Sequence, residues 1–249
     1  MKLPKNRTLK NHPVVSRSEW LKSRRQLLRK EKLFSREREH LAEERRSLPW
    51  VLVEKPYRFD GPRGPESFAD LFEGRRQLVI YHFMFDPRWT EGCAHCSFWA
   101  DSFNDAIPHL NQRDVAMVAV SRAPLPKLVS FRKRMGWNFK WLSSHKSDFN
   151  HDFHVSFTDD QVKSKNAFYN YQVGPVVCRE EPGISVFFMD PAGTIFHTYS
   201  CYARGIDMMN ATYQYLDLVP KGRDEDPNHP QSWVDYHDRY VVSPKRNSG

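Results

Sequence analysis

Cys93 and Cys96 are the residues whose type and spacing promise chemistry. They stand in the run Gly92-Cys-Ala-His-Cys-Ser97, with His95 between them. An apolar stretch from Leu78 to Phe85 reads as a buried strand, and a loop carrying Pro87 and Gly92 follows it. An amphipathic helix then opens at the cysteines and carries on past Phe103. Two thiols spaced this way on a first helical turn can close a small disulfide. The first one faces unpaired backbone N–H groups and the positive end of the helix dipole. Both favour thiolate, the nucleophile of disulfide exchange. Cys93 is therefore expected to attack and Cys96 to resolve. His95, as an imidazolium, would stabilise the Cys93 thiolate and make the pair more oxidising.

Other uses of the thiols compete with this one. Half of a zinc site needs a second Cys or His pair at ribbon spacing, and none follows. Haem attachment needs His directly after the second Cys, where Ser97 stands. Two inert buried cysteines also fit, since free Cys packs as a small hydrophobe. The polar stretch 145–160 gathers Asp148, Asn150, His151, Asp152 and His154. His151 and His154 are not a helical i, i+4 pair, so ordinary loop hydrogen bonding is favoured over a metal. No cofactor and no metal are expected.

The elements around the cysteines repeat a simple alternation. Ala116 to Ser121 is an apolar run suited to a parallel strand covered on both faces. Pro124 and Pro126 introduce a helix over 127–135, Gly136 ends it, and Phe139 to Leu142 begins another strand. Strand, helix, strand, helix, strand is a βαβ pattern with right-handed crossovers. Val51–Val53 and Tyr57–Phe59 read as a short hairpin-like opening, followed by a turn-rich connector at Asp60–Pro65 and a brief helix capped by Ser67. Residues 161–182 lack periodicity and read as an insertion or lid. Ile184–Met189 and Thr194–Tyr199 form a hairpin about Asp190–Gly193. Ile206 to Leu216 reads as a final helix.

Three regions follow: an arm with a long helix over 1–48, the main domain over 49–219, and a tail over 220–249 held in part by Trp233, Tyr236 and Tyr240. Residues 1–46 hold 15 Lys/Arg and 6 Asp/Glu, a net of +9, whereas the remainder holds 23 and 24. Acids and bases interleave in the arm, so a solvated helix face is favoured over nucleic-acid binding. Ser16 and Glu19 make a capping box. Trp20, Leu27, Phe34, Leu41 and Leu48 recur as a heptad seam, which suits either the chain's own domain or a second copy in a homodimer. The 249 residues, 39% hydrophobic and 14% aromatic, can bury a sizeable core. No apolar run is long enough for a membrane span, and no apolar signal core is seen near the start. A cytoplasmic setting is the default, where a C-x-x-C is more often catalytic than structural.

These features assemble into a thioredoxin-like α/β fold. The run YHFMF-x-P-x-W-x-x-GC-x-x-CSFWAD-x-F, followed by VAVSRAPL, RMGW, SSHKSDFN and HTYS-x-YARG, closely resembles the DUF899 family over roughly residues 16–240. The resemblance implies a predicted dithiol–disulfide oxidoreductase with a peroxiredoxin-type mixed sheet flanked by helices, acting on a protein or small-molecule thiol or disulfide. Asp86 replaces the family's usual Gly, and Ala94-His95 replaces its usual Pro-Ser. Trp89, Pro182 and Arg204 are the expected substrate contacts, with Pro182 the nearest candidate for the cis-proline that faces the disulfide in thioredoxins and a turn proline the alternative. Two further functions remain open. Thr90 precedes Cys93 with a spacing similar to a thiol peroxidase site, and a binding protein with idle thiols would keep the same fold.

Overall fold

The computed structural model describes residues 12–241. The chain divides after Leu48 into two compact units. The first contains α1 (Arg17–Arg46). The Glu19 N–H donates to Ser16 Oγ at 3.3 Å while the Ser16 N–H donates to the Glu19 carboxylate at 2.9 Å. This reciprocal cap satisfies two of the helix's orphan donors.

The second unit opens with β1 (Val51–Leu52), β2 (Arg58–Gly61), β3 (Gly64–Ser67) and β4 (Gln77–His82). Helices α2 (Ala94–Ala100) and α3 (Phe103–Asn111) lead to β5 (Val115–Ser121), α4 (Leu125–Arg134) and β6 (Lys140–Ser143). Short helices α5 (Phe149–Asp152) and α6 (Asp159–Ser164) precede a small hairpin, β7 (Ala167–Tyr169) and β8 (Gln172–Gly174). The chain closes with β9 (Gly183–Met189), β10 (Ile195–Tyr202), a 3-10 turn over Ala203–Met209, and α7 (Ala211–Leu216).

Eight strands make one sheet in the order β1-β10-β9-β4-β5-β6-β2-β3. β4, β5 and β6 run parallel, joined by helical crossovers. β9 lies antiparallel on the other side of β4, with β10 beyond it. This is a thioredoxin-like fold, with the β2–β3 hairpin lying beyond β6. The central strand serves two cores because its side chains alternate. Leu78 and Ile80 join Phe72, Phe149 and Phe187 on one face. Tyr81, Phe83 and Phe85 join Cys96, Trp99, Phe131 and Trp141 on the other. The thiols therefore belong to the second core.

Four local expectations change. Val51–Leu52 pairs with β10, at the opposite edge from β2, so the opening strands do not pair with each other and the hairpin turn is instead the Gly-rich connector. The cysteine helix stops at Ala100 and restarts at Phe103. Ser102 causes the break: its N–H and its hydroxyl both turn to the Trp99 carbonyl, at 3.2 and 2.9 Å, taking the acceptor that a continuing helix would need. The final helix is likewise divided. Asn210 leaves helical geometry and its Oδ1 caps the Tyr213 N–H at 3.0 Å. The aperiodic stretch 161–182 holds α6 and the β7–β8 hairpin before running as a loop into β9.

His82 ends β4 inside the first core. It is 1% exposed, its Nε2 lies 2.8 Å from Ser185 Oγ, and its Nδ1 has no hydrogen-bond partner. Burial holds its pKa down, to about 3. The unfolded chain thus binds a proton there below the ordinary value of 6.5 that the folded chain refuses. Stability present above that value is lost on acidification, at about 1.4 kcal/mol per pH unit. Urea unfolding between neutral pH and pH about 4 should show the His82→Gln protein losing less stability on acidification than the unmutated one, by about this slope; equal slopes in the two proteins would remove His82 as a source.

Candidate active site

The site is built on the chain leaving β4. The Cys93 N–H donates back to the Met84 carbonyl at 3.0 Å, which fixes where the helix begins. Gly92 makes that approach feasible. A Cβ there would sit 2.7 Å from Phe83 and 3.1 Å from Phe131, inside van der Waals contact with both rings.

Cys93 is the N-cap of α2. Its extended backbone (φ −59°, ψ 128°) turns Sγ toward the helix, where it accepts the Cys96 N–H at 3.5 Å. Cys93 is half-buried and Cys96 is 2% exposed. Both are free thiols. The Cys96 sulfur itself accepts the Met84 N–H at 3.4 Å.

These contacts polarise the pair. The thiol hydrogen bond from Cys96, followed by His95 and the Cys96 N–H, holds Cys93 well below the usual thiol range against the opposing effect of burial. Burial, and then the charge beside it, pushes Cys96 well above that range. His95 is raised, first by its hydrogen bond to Cys93, so it is biased toward imidazolium. The arrangement favours the thiolate on Cys93 and the protonated thiol on the buried Cys96.

The second partner of His95 comes from the tail. After Cys93, the Gln231 carbonyl beside the ring also favours the charged form of His95. Gln231 has φ +65° and sits in a turn gathered by one carboxylate oxygen. Glu225 Oε1 accepts from Tyr213 Oη at 2.8 Å, Trp233 Nε1 at 2.9 Å and Gln231 N at 3.2 Å. The strap then follows α2. Trp233 packs edge-on against Phe98, Tyr236 donates to the Gly92 carbonyl, and Arg134 makes two bonds to Asp238 at 2.8 and 2.9 Å.

A cavity of about 410 Å³ opens over the thiols. Cys93, His95 and Cys96 meet Tyr81, Met84 and Trp99 on one side. Val177, Cys178, Glu181 and Pro182 come from the loop before β9, and Ala203, Arg204, Ile206 and Asp207 from the turn after β10. Gln231 completes the wall. Burial raises the Glu181 carboxyl and pushes the Cys178 thiol up to about 11.

The sequence-derived residues divide accordingly. Cys93, His95, Cys96, Pro182 and Arg204 share this cavity. Trp89 does not: its carbonyl accepts Lys127 Nζ at 2.7 Å and its ring packs on the core behind the loop. Pro182 follows a trans peptide, so the cis-proline expectation is corrected, and its carbonyl accepts from the Tyr169 hydroxyl at 2.7 Å. Arg204 stands at the rim and pairs with Asp207 at 3.2 Å. Sequence reasoning missed Glu181, Cys178, Ile206 and Gln231 as cavity residues. Glu181 adjoins Pro182 and was within reach of the same argument; nothing in the tail's composition marks Gln231. Among the described residues no group of three or more His, Cys, Asp or Glu is placed to hold a metal, and no helix is long and apolar enough to cross a membrane.

Fold and dithiol together define a thioredoxin-like protein with a C-x-x-C pair at a helix start. The chain belongs to the family described as bacterial protein of unknown function (DUF899), which matches residues 9–240. No curated protein matches it. Among solved structures it is similar to peroxidoxin BcpB from Mycobacterium tuberculosis, at 14% identity over 67% of this chain and 96% of that one, with a TM-score of 0.43. It is also similar to a mutant of peroxiredoxin Q from Xanthomonas campestris, at 15% identity over 66% and 96%, with a TM-score of 0.44.

The strap gives a direct test. In a Cys178→Ser background, alkylation of Cys93 by iodoacetamide should titrate well below the ordinary thiol value of ~8.5. His95→Gln should move the midpoint up. Glu225→Gln should move it the same way by loosening Gln231. A midpoint unmoved by Glu225→Gln would break the link between strap and thiolate.

Proposed function

We propose that the protein is a thiol–disulfide oxidoreductase with Cys93 as nucleophile and Cys96 as resolving thiol. The observation that carries this reading is the half-buried Cys93 sulfur at the start of α2, which accepts the N–H of the buried Cys96 at 3.5 Å at the mouth of a cavity. The Cys93 thiolate attacks one sulfur of a substrate disulfide and expels the other as a thiolate, which takes up a proton. A mixed disulfide remains on Cys93. Cys96 then gives up its proton and attacks the Cys93 sulfur, releasing the second substrate thiol. Two electrons have passed to the substrate and the protein holds a Cys93–Cys96 disulfide. The same steps run backward with a dithiol reductant regenerate the pair.

His95 acts on the first step. An imidazolium beside Cys93 stabilises the thiolate both as nucleophile and as leaving group. Stabilising the reduced form shifts the couple toward oxidant. Pro182 and Arg204 act as substrate contacts at the cavity wall. Trp89 has no such role on this geometry.

Cys96→Ser should trap a mixed disulfide on Cys93 during reaction with a disulfide substrate, visible by mass spectrometry as an adduct removed by dithiothreitol. Cys93→Ser should give no adduct and no turnover. Absence of any adduct on the Cys96→Ser protein would refute the exchange mechanism. Peroxide consumption by the reduced protein is the separate readout for a thiol peroxidase.

A further inference from the structure

We infer that the substrate is a small disulfide with an uncharged, apolar body that enters the cavity whole, and that disulfides displayed on folded proteins are excluded. This rests on the redox reading of Cys93 and Cys96.

Three observations carry it. The first is enclosure. A protein disulfide would have to reach Cys93 between two segments of chain that line the cavity. On one side is the loop 175–182. It is pinned at its root, where the Phe157 N–H donates to the Arg179 carbonyl at 2.8 Å and the Glu181 N–H to the Val155 carbonyl at 3.0 Å. The Glu180 side chain is buried there, bonded by Ser156 Oγ at 2.6 Å and paired with Arg122 at 3.3 Å. On the other side is the C-terminal strap, held by Glu225, Tyr236 and Asp238 as described. Neither wall is a free flap.

The second is size. A cavity of about 410 Å³ lies at the lower end of the range that holds small-molecule ligands. It suits two aromatic or short aliphatic groups joined by one S–S bond.

The third is lining and charge. Tyr81, Met84, Trp99 and Ile206 present apolar surface beside the thiols. Asp207 lies against Arg204 and Arg223, at 3.2 and 3.4 Å, and Asp217 against Arg223 at 2.8 Å, so two carboxylates face two guanidinium groups at the rim. Glu181 is half-buried and biased toward its neutral form. A substrate bearing several carboxylates would have to displace Asp207 from Arg204 and would lose its hydration on entry.

The chemistry balances without a further reagent: the reduced dithiol plus one small disulfide gives the Cys93–Cys96 disulfide and two small thiols. A single-turnover experiment on the pre-reduced full-length protein in a Cys178→Ser background reads this directly. Dipyridyl disulfide, oxidised glutathione and insulin are compared, each rate divided by that of free dithiothreitol on the same disulfide. The normalised rate with dipyridyl disulfide should exceed the other two by about tenfold or more, the scale on which a closed pocket rejects misfitting groups. Val177→Trp, at a cavity residue that is 92% exposed and so free to change without disturbing the core, should slow dipyridyl disulfide while leaving iodoacetamide alkylation of Cys93 unchanged. Insulin or glutathione disulfide keeping pace, with Cys93 still faster than dithiothreitol, would overturn the inference and leave the redox reading standing. All three rates at or below that of dithiothreitol, or persisting in Cys93→Ser, would remove the redox reading and this inference with it.

Discussion

The site depends on one sulfur holding negative charge in a half-buried place. Burial alone would return the proton to Cys93, so donors must outweigh it. Three are gathered: the Cys96 thiol, the His95 ring and the Cys96 N–H. The largest of them is itself a titrating group. The Cys96 proton is held because its own sulfur is buried and because a charged neighbour accepts from it. One charge and one proton are thus shared between two sulfurs, and they titrate as a pair rather than as two residues. In the proposed exchange, Cys93 spends its charge on the substrate, and what held the Cys96 proton in place is then lost. Deprotonation of Cys96 then becomes easier at the step where its thiolate is needed.

The fold supplies this arrangement through one short stretch of backbone. Met84 uses both of its main-chain groups on the thiols: its carbonyl accepts the Cys93 N–H and its N–H donates to the Cys96 sulfur. Met84 follows directly from the central strand, which is fixed by pairing on both sides to β5 and β9. The position of each sulfur is therefore inherited from the sheet. Gly92 allows the chain to pass between Phe83 and Phe131, and Tyr236 caps its carbonyl from outside. A strand, a glycine and a tail residue together set one helix N-terminus.

The legible part of the sequence was the part with local causes. Apolar runs at 78–85 and 116–121 gave the parallel strands, and the Cys-Ala-His-Cys run marked the helix start, with Cys93 at its N-cap. The Ser16–Glu19 cap could be read from spacing alone. What escaped had long-range causes. Val51–Leu52 looked like one arm of a hairpin because strand propensity does not reveal the partner, and its partner is β10 at the far edge. The helix break at Ser102 depended on a hydroxyl choosing the Trp99 carbonyl, which competes closely with continued helix. Gln231 was invisible. It works through a backbone carbonyl, so its side chain carried no signal, and its aim depends on Glu225, Tyr213 and Trp233 meeting at one point.

The two acidic residues before Pro182 show how one extended segment can serve two tasks. Successive side chains on extended backbone point to opposite sides. Glu180 turns inward, is 1% exposed, and meets Ser156 and Arg122; its pKa is raised to about 7 because burial outweighs those partners. Glu181 turns to the cavity. Arg179, one residue earlier, lies 3.7 Å from Asp86, the buried carboxylate at the start of the cysteine loop that also accepts the Arg88 N–H at 2.8 Å. The wall of the cavity and the loop that carries Cys93 are thus tied to one buried charge network. A glycine at position 86 could not make this tie. Asp86, which touches neither thiol, thus adds one more tie to the wall already held by Glu180 and by the backbone bonds of 179 and 181.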